Sequence, residues 1–152
     1  MESFSLYLEA SMKHWDEYMS FVDTFTGIES LSPKKSYRLK LAVEELLSNI
    51  VRSSEASCKL TNHLSSLEIS FSINTTLNPH ILEVILTDNA PHFDPEFDKQ
   101  DSPDHIDHPV SCKPIGGLGL FLVKESVDSV SYKYSNAQNT YTLKVELSNT
   151  SD

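Results

Sequence analysis

Gly116-Gly117-Leu118-Gly119-Leu120-Phe121-Leu122-Val123 is the stretch on which the fold of this chain turns. Three of the four glycines in the sequence fall within its first four residues. They open an apolar segment, 118–126, that reads as a short helix. Glycine permits close backbone approach and dihedrals that other residues avoid. A glycine turn at a helix start presents unpaired N–H groups and the positive end of the helix dipole to a phosphate. Yet the Lys-Ser/Thr of a P-loop is missing, and no strand–helix–strand unit surrounds the glycines. The two common phosphate-binding α/β folds are therefore excluded, and the flanking sequence has to supply another.

Upstream of the glycines, residues 91–114 are rich in Pro, Asp and His and show no period. Structureless loops beyond roughly 12–15 residues are uncommon inside compact domains and are usually functional or disordered. The loop follows an apolar strand, 81–87, that runs into Asp88. Before it, Leu67, Ile69, Phe71 and Ile73 alternate as a second strand, with Asn78-Pro79 as the turn between the two. Further out, Phe4, Leu6 and Leu8 alternate as a short strand. Met12, Trp15, Met19 and Val22 recur at helical spacing, with Tyr18, Phe21 and Phe25 widening the apolar face of a helix that ends near Gly27. Ser32-Pro33 is a helix start, Ser as N-cap and Pro at the first position. Leu39, Val43, Leu46 and Ile50 form the apolar stripe of that helix over 36–51. Residues 53–66 are polar without a clear period and read as a loop. Downstream of the glycines, Val130, Tyr132 and Tyr134 alternate, 136–139 turns, and Tyr141, Leu143, Val145 and Leu147 alternate again as the second arm of a hairpin. The pattern predicts an α+β fold: helices on one face of a mostly antiparallel sheet.

Length and charge narrow the function. At 152 residues the chain makes one domain, 1–152. Its formal net charge of -10 argues against a sequence-independent nucleic-acid binder, which needs a basic footprint. No apolar run approaches membrane-spanning length, no leader-like segment opens the chain, and Cys58 and Cys112 sit far apart. A cytoplasmic setting without membrane or nucleic-acid partners is expected.

Two other places carry chemistry. Glu45 and Asn49 are four apart, on one face of their helix and about a turn from each other. They border the buried stripe, with Ala42, Leu46 and Ile50 alongside. An amide oxygen there suits a hard cation such as Mg²⁺, and a carboxylate can take a proton from an attacking hydroxyl. Asp88 ends a strand before Asn89-Ala90-Pro91, where a carboxylate can accept a hydrogen bond from an amino group such as that of adenine. Taken singly, each is better read as a solvated helix face or a turn-starting aspartate.

Their order is more telling. E-x-x-x-N on a helix, D-x-A-x-x-F-D at a strand end, a polar loop and G-G-L-G-L-F-L resemble the GHKL ATPase superfamily of gyrase-type ATPases and sensor histidine kinases. Within it the chain looks most like the anti-sigma-factor serine kinases of bacterial partner-switching systems. The resemblance runs from Ala42-Val43-Glu44-Glu45 and Asn49-Ile50-Val51 through Asp88 to Pro95, Gly116 to Val123, and Val127-Asp128-Ser129-Val130. The closing Asn139-Thr140 falls at the family's final nucleotide-contacting turn.

This resemblance implies a two-layer α/β sandwich, the GHKL or Bergerat ATP-binding fold. It implies ATP and Mg²⁺ as ligands, with Glu45 as general base, Asn49 as Mg²⁺ ligand and Asp88 as adenine contact. Gly116, Gly117 and Gly119 would wrap the phosphates beside Leu118 and Leu120. Ala90, Phe93 and Thr140 would complete the nucleotide site, under an ATP lid over 95–115. The implied phosphoacceptor is a serine or threonine of an anti-anti-sigma antagonist protein, with a sigma factor as second partner and a homodimer as the working form. An ATP-binding adaptor without phosphotransfer, or a kinase with a non-sigma target, are the alternatives. Ala90 stands where the family has glycine, and Ser53 where many relatives carry histidine. Within the lid, His105-x-x-His108 with Asp101, Asp104, Asp107, His92 and Cys112 also resembles a zinc-ligand cluster, though no second tight pair accompanies it and a mobile acidic lid is the simpler account.

Overall fold

The computed structural model describes residues 3–97 and 117–148. Its elements are β1 (Ser3–Glu9), a 3₁₀ turn (Met12–His14), α1 (Trp15–Thr26), α2 (Pro33–Thr61), β2 (Ser66–Asn74) and β3 (Ile81–Asp88). They continue with α3 (Gly117–Ser126), β4 (Ser129–Ser135) and β5 (Gln138–Glu146). The strands form one antiparallel sheet in the order β1-β2-β3-β5-β4. The α+β class read from the sequence therefore holds.

Period-two alternation decides what each strand buries. On the central strand, Leu82, Val84, Leu86 and Asp88 are buried, and on its neighbour β5 so are Asn139, Tyr141, Leu143 and Val145. The register sets Asp88 opposite Asn139 and Leu86 opposite Tyr141. Tyr18, Val22 and Phe25 of α1, Leu39, Val43, Leu46 and Leu47 of α2, and Val123 of α3 share one core with this face of the sheet. The buried face is thus apolar along most of its length and turns polar at one end, at Asp88 and Asn139.

Three local expectations are corrected. Helix α2 does not stop at 51; it runs through the polar stretch to Thr61. Ser54 is fully buried there, and its Oγ accepts the Ser65 N–H at 2.8 Å. Glu55 accepts the Met12 N–H at 3.2 Å. Polar side chains that find backbone donors can occupy a helix's inner face, and a count of apolar residues misses them. Asn62 ends the helix in the left-handed region, φ 62°, with its N–H on Cys58 O at 2.8 Å. At the other end, Ser32 Oγ accepts the Lys35 N–H at 3.2 Å, with Pro33 opening the helix as expected. Second, Met12 belongs to the 3₁₀ turn and is exposed, so the α1 face starts at Trp15. Third, the hairpin closes on Asn136 and Ala137 alone, at φ 54° and 60°. That two-residue pattern is a type I′ turn, and it moves Asn139 out of the turn into β5.

Candidate functional site

A cavity of about 320 Å³ opens where the polar end of the sheet meets α2 and α3. Asn49, Ile50, Arg52 and Ser53 of α2 form one wall. Asp88, Ala90, Pro91 and Phe93, at and beyond the end of β3, form another. Tyr141 of β5 and Leu120 of α3 complete it. The lining joins a mostly apolar, aromatic surface to a few fixed polar groups, the usual make-up of a small-ligand site.

Asp88 is 2% exposed. Its Oδ1 accepts the Ala90 N–H at 2.8 Å and an Asn139 Nδ2–H at 3.0 Å. Its Oδ2 is buried without a hydrogen-bond partner among the described residues. Desolvation pushes the carboxyl above the usual carboxylate range, against the pull of the two hydrogen bonds. Leaving a buried acceptor unpaired costs roughly 1–3 kcal/mol, so such an atom calls for an explanation. A ligand amino group would satisfy it. Ala90 makes the following turn without a left-handed φ, so its methyl is accommodated without backbone strain.

Of the pair Asn139-Thr140, the sequence reading set Thr140 in the site, whereas Asn139 is the one that faces Asp88. It is 1% exposed. Its Nδ2 shares its two hydrogens among three acceptors, Asp88 Oδ1, Ala90 O at 3.1 Å and Pro91 O at 3.2 Å. Its Oδ1 accepts the Phe93 N–H at 3.2 Å and the Tyr132 hydroxyl at 2.5 Å. Extending the 141, 143, 145 alternation back by one step would have placed this amide on the buried face, where it needs partners. Tyr132 packs on Tyr141 at 5.2 Å between ring centroids, and burial holds both phenols above their ordinary values. Thr140 is separated from Asp88 by the same alternation: it pairs with Thr87, on the opposite face of the sheet.

Across the cavity, Asn49 Oδ1 accepts a hydrogen bond from the Arg52 guanidinium. Among the described residues no group of three His, Cys, Asp or Glu side chains could hold a metal. A hard cation at Asn49 would take its other ligands from phosphate and water, the habit of Mg²⁺, and would displace Arg52 from the amide oxygen. Glu45 is half-buried one turn before Asn49. Its carboxylate lies against Gly119, so closely that a Cβ there would overlap Oε1 and Cδ. Gly119 sits in the first turn of α3, where free N–H groups and the dipole favour an anion. The base candidate and the glycine motif are therefore in contact.

Phe93 is exposed at the cavity mouth, and Leu120 is buried in its wall. Gly117 opens α3. Gly116, the side chain of Leu118, residues 98–115 of the expected lid, and the cluster of Asp101, Asp104, His105, Asp107, His108 and Cys112 lie outside the described residues. His92 instead packs at a tilt on Tyr134, 4.4 Å between ring centroids, and stacks on Tyr132 at 6.1 Å.

The chain matches the description "Histidine kinase-like ATPase domain" over residues 8–145. It is 30% identical over 129 residues to the "Serine-protein kinase RsbW" of Oceanobacillus iheyensis, which covers 82% of this chain and 77% of that protein. The matched range takes in the Glu45–Asn49 face, Asp88, Gly119 and Asn139.

Proposed function

This chain belongs to the histidine kinase-like ATPase family, and on that premise we propose that it is an ATP-dependent serine/threonine protein kinase and anti-sigma factor. It phosphorylates an antagonist of the anti-anti-sigma type and sequesters a sigma factor, acting as a homodimer in the cytoplasm. The observation that carries the reading is Asp88 Oδ2, a buried acceptor with no partner among the described residues, in a cavity whose facing wall holds Asn49. Adenine's amino group fits that oxygen, and the phosphates would extend toward Asn49, Gly117 and Gly119. Mg²⁺ bound through Asn49 would neutralise phosphate charge. Glu45 takes the proton of the acceptor hydroxyl as its oxygen bonds to the γ-phosphorus and the β–γ bridge breaks, releasing ADP. Such transfer rests on positioning and charge neutralisation rather than covalent work by the protein. Among the described residues no helix is long and apolar enough to cross a membrane.

The test is incubation with labelled ATP, Mg²⁺ and a candidate antagonist protein. Label should pass to a serine or threonine of the antagonist. Glu45→Ala should keep nucleotide binding and lower transfer by about 10²–10⁴-fold, the usual worth of a general base. ATP binding without any transfer would sink the kinase reading and leave a binding adaptor. Pull-down with the cell's sigma factors separates a sigma-directed kinase from one with another target.

A further inference from the structure

We propose that the exposed stripe of α2 formed by Lys34, Tyr37, Arg38 and Leu41 is a docking surface for an acidic segment of the phosphoacceptor protein, about three to five residues along its chain from the hydroxyl that Glu45 deprotonates. This rests on the kinase reading above and adds to it the charge that the acceptor protein must carry.

Lys34, Lys35, Arg38 and Lys40 crowd into one short segment, whereas the other cations of the chain are scattered singly. Two of these four are engaged. Lys35 Nζ donates to Glu146 O at 2.7 Å and lies 4.0 Å from Asp128, and Lys40 pairs with Asp23 at 2.9 Å. Lys34 and Arg38 are exposed, with no ion pair or hydrogen bond among the described residues. Beside them Tyr37 is 66% and Leu41 43% exposed, although the opposite side of α2 is seated in the core. Residues four apart on a helix are neighbours, so Lys34–Arg38 and Tyr37–Leu41 make two adjoining rows. An aromatic and an aliphatic side chain beside free cations is the make-up of a protein-binding hot spot, where Tyr and Arg are enriched. Nucleic acid and anionic lipid are held by larger basic clusters, and the net charge of -10 opposes both.

Glu45 follows Arg38 by two turns on the same line of the helix, with Leu41 between them. That is a rise of about 10 Å at about 1.5 Å per residue. An extended chain covers it in about three residues. An acceptor hydroxyl at Glu45 therefore leaves its near neighbours in sequence against Arg38 and Lys34. The stripe is also polarised, basic at Lys34 and Arg38 and acidic at Glu44 and Glu45. A partner carboxylate is drawn to the Arg38 end and repelled from the Glu45 end, which fixes the direction of the docked chain as well as its affinity.

The candidate antagonist protein of the transfer assay is titrated by calorimetry against the parent protein, Lys34→Glu/Arg38→Glu and Tyr37→Ser. Its phosphorylation is also followed against its concentration at saturating ATP and Mg²⁺. The double variant should bind the antagonist about tenfold or more weakly and raise its KM to match, with kcat and ATP affinity kept. Tyr37→Ser should weaken binding about three- to tenfold. Changing the antagonist's acids about three to five residues from the mapped phosphosite to lysine should weaken binding to the parent and restore binding to the double variant, a coupling that a general loss of stability does not produce. Antagonist affinity unchanged in both variants would overturn the docking surface and leave the kinase reading standing. So would a double variant that changes only its oligomeric state, which would give the stripe to a second copy, or only its binding to phosphatidylserine vesicles or duplex DNA. Antagonist binding that responds to the variants while the parent transfers no phosphate would overturn the kinase reading and keep the surface.

Discussion

The contact between Glu45 and Gly119 ties the proposed base to the glycine motif through a single absent methyl. An added Cβ at Gly119 meets only the far end of the Glu45 side chain, which can swing away. Gly119→Ala should therefore fold well, gaining up to about 0.5–1 kcal/mol from the better helix former. Displacing the carboxylate should nevertheless lower phosphotransfer at least tenfold. Melting temperature and transfer rate, measured together, check this; full transfer would show that the position of Glu45 against α3 is immaterial. Asp88 carries a similar conflict between fold and function. Burial raises its pKa, so the folded chain holds the proton more tightly than the unfolded chain. Stability then falls as pH rises from the ordinary carboxylate range through the raised value, and the penalty is complete above it. Asp88→Asn removes the buried charge and keeps an oxygen for Asn139 and Ala90. At neutral pH it should raise apo stability by on the order of 1 kcal/mol while weakening ATP binding, because a donor replaces the acceptor Oδ2. Urea titrations at pH 5 and pH 7.5 would show the gap between variant and parent widening with pH; an equal gap would refute the assignment.

At the scale of elements, α2 carries the site from the core outward. Its apolar stripe seats Leu39, Val43, Leu46 and Leu47 in the core, which fixes the phase of Glu45 and Asn49 on the same helix. That part was legible, since spacing alone puts the two side chains on one face. The strand-end Asp88 was legible too, because an apolar run closing on a carboxylate is visible in a single sequence. The helix beyond residue 51 was not. It is held by Ser54, which is buried, and by the partly buried Glu55, whose partners, Ser65 N–H and Met12 N–H, are 11 and 43 residues away in sequence. The place of Asn139 inside β5 escaped for a related reason: a loop-like residue type was read as turn, whereas the turn is complete in Asn136 and Ala137. The left-handed Asn62 that stops α2 offers a test of this element. Asn62→Val should cost about 1–2 kcal/mol by chemical denaturation, since a β-branched residue resists φ near +60°. Asn62→Gly should be neutral or mildly stabilising. Equal effects of the two would mean that the helix end is not held in that conformation.

Across the whole molecule, the site combines local donors with an unfavourable global charge. The chain carries a formal net charge of -10, and ATP is itself an anion. Sites that attract phosphate through a basic field bind faster at low salt. On the proposed reading, capture would rely on short-range features, the first turn of α3, Arg52 at the cavity wall and a cation at Asn49, while the distant carboxylates would oppose approach. Screening should remove the opposition first, because it acts over longer distances. Raising ionic strength from about 0.01 M to 0.15 M shortens the screening length from about 30 Å to about 8 Å. The association rate of Mg²⁺-bound ATP should then rise, or at least hold, as salt is added across that range. On the same reading the dissociation rate, set by the buried contact proposed at Asp88, should change little. Stopped-flow binding with a fluorescent ATP analogue over this range gives both rates. A steep fall in association rate with salt would mean that an attractive field guides the nucleotide after all, and that the acidic surface faces away from its path.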